Sequence, residues 1–122
     1  MEELNSLFTR GDVYKDGFVF ESIIKITPED LLFDIHFPKM PIMPGACLIA
    51  YAALCLEEWS NLGGVRIKCV PRASFNHAVI PNMELKLQIV SSPLGEKYKK
   101  AVCRYISNQG VSALIVFEYL HI

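Results

Sequence analysis

One titratable imidazole sits inside an unusually stiff stretch, His36-Phe37-Pro38-Lys39-Met40-Pro41-Ile42-Met43-Pro44-Gly45. Each proline fixes its own φ near −65° and restricts the residue before it, so the loop holds His36 in one place. Pro44 and Gly45 then open a helix, where a proline's missing N–H costs nothing. The amides of the first turn are left free and carry the positive end of the helix dipole. A fixed imidazole beside such amides suits a carbonyl compound. The imidazole moves a proton while the amides hold a developing oxyanion.

The elements that position these groups are legible next. From Ala46 to Leu56 every turn of the helix is apolar, and the first acids are Glu57 and Glu58. A helix apolar all round is buried in a domain or spans a membrane, and this run is short of the roughly 20 residues a span needs. A sheet is therefore expected to wrap a helix running from Ala46 to about Trp59. Residues 2–9 read as a short helical turn. Strands are expected at Phe18 to Ile26, Leu31 to Ile35, Val65 to Phe75, Glu84 to Val90, Lys97 to Ser107 and Val111 to His121. Glu84-Leu85-Lys86-Leu87-Gln88-Ile89-Val90 alternates strictly. Gly63-Gly64 reads as the end of the helix, Pro81-Asn82 as a turn, and Asn108-Gln109-Gly110 as a hairpin tip. Hairpin-length loops make the later strands antiparallel. The class is α+β, a curled antiparallel sheet around one long central helix, in a single domain over residues 1–122.

Bulk properties narrow the functional classes. The 122 residues are 52% hydrophobic and 20% charged, a globular and not a disordered composition. The net charge of −1 gives no bias toward nucleic acid or an anionic membrane. Cys47, Cys55, Cys69 and Cys103 show no metal-ligand spacing and read as reduced core residues. The acidic start Met1-Glu2-Glu3-Leu4-Asn5 has no apolar core, so no signal peptide is expected and the location reads as cytoplasmic. No metal and no cofactor are expected.

The layout and the loop resemble the hotdog fold and, within it, the β-hydroxyacyl-ACP dehydratases of fatty-acid synthesis, of the FabZ and FabA type. The resemblance rests on His36-Phe37-Pro38, on Pro41-Ile42-Met43-Pro44-Gly45 with the helix after it, and on Phe75-Asn76-His77-Ala78-Val79-Ile80-Pro81 leading into Leu85-Lys86-Leu87. It covers nearly the whole chain. It implies that His36 removes the α-proton of a 3-hydroxyacyl thioester while the amides near Gly45 polarise its carbonyl. It also implies an acid on the helix that protonates the leaving hydroxyl, and an acyl tunnel at a dimer interface built from two subunits. The substrate would be carried by acyl carrier protein or coenzyme A.

Four positions depart from the family pattern. The place of the acid, five residues past Gly45, is Ala50. Glu57 lies seven residues further on, about 10 Å along the axis. Ile35 precedes the histidine where the family has glycine, and Pro81-Asn82-Met83 stands for Pro-Gly-Asp. Phe37 and Pro44 are candidates to line the pocket; Cys47 and Tyr51 read first as core residues, with the pocket lining as their alternative. His77 and His121 read as surface residues near strand ends. Lys97, Lys99, Lys100 and Arg104 read as a solvent face, or as a docking patch for an acidic carrier. The expected activity is a dehydratase lacking its usual acid. The alternatives are an impaired subunit of a heterodimeric dehydratase and a hotdog protein that binds or hydrolyses acyl thioesters.

Overall fold

In the computed structural model, residues 7–27, 42–60 and 64–121 are described. The elements are β1 (Phe8–Lys15), β2 (Val19–Ile26), α1 (Gly45–Ser60), β3 (Val65–Phe75), β4 (Glu84–Leu94), β5 (Tyr98–Ser107) and β6 (Gly110–His121). All six strands join one antiparallel sheet in the order β1-β2-β4-β5-β6-β3. The expected strand at Leu31 to Ile35 lies outside the described residues, as do residues 2–6 and Gly63.

The alternation of the strands decides which way the sheet faces. Phe20, Ser22, Ile24 and Ile26 of β2 are buried. So are Leu85, Leu87 and Ile89 of β4, Ala101, Cys103 and Tyr105 of β5, and Ile115, Phe117 and Tyr119 of β6. Their neighbours in sequence, such as Glu21, Lys86 and Arg104, stand on the outer face. Helix α1 lies on the buried face and carries the chain from β2 across to β3 at the far edge.

The helix puts Leu48, Tyr51, Ala52, Cys55 and Leu56 into the core. Among them, the Leu48 carbonyl accepts a buried hydrogen bond from the Tyr105 hydroxyl at 2.6 Å, which ties the middle of the helix to the centre of the sheet. The opposite face is also apolar. Ala46 is exposed, and Ala50, Ala53 and Leu54 are only half-buried. At about 100° per residue, Ala50 lies about 160° around the helix from Leu48. The sheet of one chain thus covers one side of a helix that is apolar on both.

Two expectations are corrected. Residues 8 and 9 belong to β1 and not to a helical turn. Strand β1 hides from a periodicity reading because only Phe8 is buried and because Gly11-Asp12 interrupts its register with β2 between Arg10 and Val13. Tertiary contacts hold it instead. Phe8 stacks on Tyr51 with ring centres 3.9 Å apart, and the Asp16 carboxylate accepts the Phe18 and Val19 amides at 2.8 and 2.9 Å in the turn that follows. The described helix runs to Ser60, close to the expected end near Trp59, and Gly64 adopts a left-handed φ of 100°. Second, Cys69 is exposed on β3 and bonds Glu118, so not every cysteine is a core residue. The Pro81-Asn82 turn forms as expected, with Asn82 at φ 69° in the position where a type II turn requires it.

Tyr105→Phe removes the sheet-to-helix hydrogen bond and leaves the ring in place. Urea unfolding should show a loss of about 1 kcal/mol with an unchanged m-value. An unchanged midpoint would show that the hydroxyl contributes nothing to holding the helix.

Candidate active site

The start of α1 opens onto a cleft of about 350 Å³. Pro44, Gly45 and Leu48 form one wall, and Phe75 at the end of β3 with Asn76, His77, Ala78 and Val79 after it form the other. Its floor is apolar: Met43, Leu48 and Val79 are each at most 3% exposed. Its rim is open, with Phe75, Asn76 and His77 all exposed.

The two walls are tied together through the backbone. The Met43 amide donates to the Val79 carbonyl at 2.6 Å. The Asn76 and His77 amides both donate to the Ser112 carbonyl, at 2.7 and 3.2 Å. Ser112 is free to take both because it is the extra residue of a bulge. The β5–β6 pairing steps from Tyr105↔Ala113 to Ile106↔Val111 and leaves Ser112 without a partner in the ladder. Its buried hydroxyl donates to Ser107 Oγ at 3.1 Å. This anchoring serine was not legible in the sequence, since nothing local marks a bulge between Val111 and Ala113.

Glycine is required at the head of the helix. A Cβ built on Gly45 would lie 2.7 Å from Cζ and 2.9 Å from Cε2 of Phe75, so the ring rests directly on the glycine. The helix begins to bond at Pro44, whose carbonyl accepts the Cys47 and Leu48 amides at 3.0 and 3.3 Å. The Gly45 and Ala46 amides have no carbonyl within the helix to reach. Gly45 lines the cleft, so the positive end of the dipole stands at its wall, a placement suited to an oxygen bearing negative charge.

Of the residues expected to form the site, Pro44 and Gly45 line this cleft. His36 and Phe37 lie outside the described residues. Ala50 is half-buried, on the side of the helix opposite Leu48, and is not among the residues lining the cleft. Cys47 and Tyr51 are not among the lining residues, because their positions on the helix turn them away from the Gly45 wall. Tyr51 is buried, and its hydroxyl accepts from Arg10 Nε at 3.4 Å. Arg10 also bonds Cys55 Sγ at 3.3 Å and pairs with Glu58. Glu58 is therefore engaged with β1. Burial pushes the Tyr51 phenol up, and pushes the Cys55 thiol up to about 11, so both keep their protons at neutral pH. The cluster clips β1 to the helix and presents no group to the cleft.

His77 is exposed near a strand end, as expected, but it also belongs to the cleft, which sequence reasoning did not anticipate. The signal was the matched segment Phe75 to Pro81, read then only as a strand approach. A larger groove of about 640 Å³ runs along the outer face between the Pro81-Asn82 turn and the β5–β6 hairpin. It contains Glu84 and Lys86 but neither an imidazole nor a helix terminus, so the smaller cleft is the better candidate. Among the described residues, no cluster of ligands could hold a metal ion, and no helix is long and apolar enough to cross a membrane.

Solved structures identify the arrangement as the hotdog fold. The dehydratase heterocomplex ApeI:P from Xenorhabdus doucetiae superposes with a TM-score of 0.74 at 13% identity, covering 92% of this chain and 96% of that one. A thioesterase from Haemophilus influenzae gives a TM-score of 0.68 at 9% identity, covering 97% and 80%. At these identities the likeness establishes the fold alone. The sequence goes further. Residues 15–113 match the ApeI-like family, described as ApeI dehydratase, and the chain belongs to that family. It is also 27% identical over 111 residues to the 3-hydroxyacyl-[acyl-carrier-protein] dehydratase FabZ of Bordetella petrii, covering 80% of this chain and 70% of that protein. With the FabZ of Clostridium botulinum it shares 35% identity over 75 residues, covering 52% of this chain and 49% of the relative. The chain thus spans about half the length of that clostridial protein.

Gly45→Ala should test the fit at the helix start. The added methyl must displace the Phe75 ring into the cleft, while alanine's better helix propensity offsets part of the cost, so stability should change by less than about 1 kcal/mol. Affinity for an acyl thioester, followed by NMR titration, should fall by about tenfold or more, and Phe75→Ala in the same chain should recover part of it. Undiminished binding by Gly45→Ala would contradict this placement.

Proposed function

We propose that this chain is a hotdog-domain dehydratase of 3-hydroxyacyl thioesters, held by acyl carrier protein or coenzyme A, and that it works in the cytoplasm as one subunit of a dimer. The observation that carries the reading is the cleft at the head of α1. It joins an apolar floor to free amides, in a chain of a dehydratase family. In this reading the thioester carbonyl accepts hydrogen bonds from the Gly45 and Ala46 amides, which lowers the cost of enolate character at the α-carbon. His36 takes the α-proton. The hydroxyl leaves C3 with an added proton as water, and the C2–C3 double bond of the trans-2-enoyl product forms from the C–H electron pair.

The proton given to the leaving hydroxyl is the open element. Position 50 holds alanine, on the half-covered apolar stripe of the helix. That placement favours a second reading, a subunit of a mixed dimer. A related hotdog partner would cover the stripe and supply the carboxylate that Ala50 lacks. The name of the Xenorhabdus neighbour, a dehydratase heterocomplex, supports assembly of this kind. The edge strand β3 adds to it, since it is exposed along most of its length and pairs only with β6 among the described residues.

The test is turnover of a 3-hydroxyacyl thioester, read as the conjugated enoyl product. The chain alone should be slow, and His36→Ala should abolish what remains. Ala50→Glu should raise the rate by up to about 10²-fold, the low end of what a positioned acid contributes. A carboxyl against apolar neighbours has its pKa raised and keeps its proton, as an acid catalyst must. A fast native enzyme slowed by Ala50→Glu would contradict the missing-acid account. Release of free thiol without an enoyl product would point instead to a hotdog thioesterase.

A further inference from the structure

The cleft changes character along its length. Met43, Leu48 and Val79 make a buried apolar floor, while Asn76 and His77 make an exposed polar rim. The rim is fixed and yet has unspent hydrogen-bonding capacity. Both of its backbone amides are committed to Ser112. The Asn76 Nδ2 donates to the Val111 carbonyl at 3.3 Å, which fixes the amide orientation and leaves Oδ1 as an outward acceptor. The ring nitrogens of His77 make no hydrogen bond among the described residues. A rigid segment thus presents one acceptor and one imidazole beside an apolar slot.

We infer that Asn76 and His77 form the subsite for the pantetheine arm of the substrate, with His77 as its main side-chain contact. The inference rests on the thioester reading above and adds the direction in which the substrate lies. Pantetheine carries two secondary amides, each with a donor and an acceptor, joined to the thioester sulfur. An acyl group on the floor and a carbonyl at the Gly45 wall place the sulfur and the arm at the rim. There the arm's N–H groups meet Asn76 Oδ1 and its carbonyl oxygens meet the imidazole. The opposite orientation would bury two amides on Met43, Leu48 and Val79 without partners, which costs more than the contacts return. His77 is accordingly a binding residue that favours arm-bearing thioesters over simple ones.

Binding and not turnover is the measurement, with butanoyl-pantetheine as probe, since it lacks the 3-hydroxyl and cannot dehydrate. His77→Ala should weaken its binding about fivefold by NMR titration, the loss of one hydrogen bond. His77→Gln, which keeps a donor, should stay near the native value. Binding of the S-ethyl thioester of the same acid, which has no amide, should be the same in all three proteins. His77 is exposed, so the melting temperature should not move. Equal weakening toward both ligands, no weakening toward either, or no saturable binding by the native chain would each overturn the inference. A native chain that shows the expected pattern but never dehydrates the 3-hydroxy substrate would contradict the proposed reaction and support the subsite. Butanoyl-CoA and butanoyl-acyl carrier protein, titrated in the same way, identify the source of the arm by which binds more tightly.

Discussion

Everything about this fold follows from covering one apolar helix. Helix α1 has no charged side chain before Glu57, so no face of it is suited to water. The sheet takes Leu48, Tyr51, Ala52, Cys55 and Leu56, and the Tyr105 hydroxyl fixes the contact by bonding a main-chain carbonyl deep in the core. That contact sets where the helix begins. The beginning in turn sets where Gly45 meets Phe75, and so where the cleft lies. Ala46, Ala50, Ala53 and Leu54 remain less covered than the core face. In the mixed-dimer reading proposed above, this stripe is the surface that the partner subunit would cover.

The cleft owes its shape to main-chain bonds more than to side chains. A bulge at Ser112 turns one carbonyl toward the residues after β3, and the Met43–Val79 bond fastens the loop before α1 to the same segment. Neither device depends on a titratable group, so the walls should keep their form across a wide pH range. The chemistry can then reside in a few groups mounted on them. The helix itself supplies the Gly45 amide at the wall, and Asn76 and His77 supply the polar rim. A rigid scaffold of this type lets one residue, such as that at position 50, change without loss of the fold.

The sequence made the later strands and the helix legible because their alternation and apolar run are strong. Val65–Phe75 emerged with the expected bounds, and the turn at Asn82 formed where Pro81 announced it. Strand β1 was not legible, because its pairing depends on β2 and its anchoring on Tyr51 and Arg10, all distant in sequence. The same limit governed the site. The Pro44-Gly45 signature located the helix head, but the ring of Phe75 against Gly45 and the entry of His77 into the cleft arise from a turn that brings residue 75 to residue 45. Position 51 carried two readings, and its core reading is the one the structure bears out. A tyrosine one step from the family's acid position looks available to a substrate, but the helical rotation sends it into the core.

The central claim is that acyl thioesters bind at the head of α1. The most direct measurement is a set of backbone amide shifts in the ¹⁵N-labelled chain on titration with a stable thioether analogue of a 3-hydroxyacyl-pantetheine that retains the carbonyl. The account predicts the largest changes at Gly45 and Ala46, with smaller ones from Asn76 to Val79. Changes confined to Glu84, Lys86 and Asn108, in the larger groove on the outer face, would contradict it.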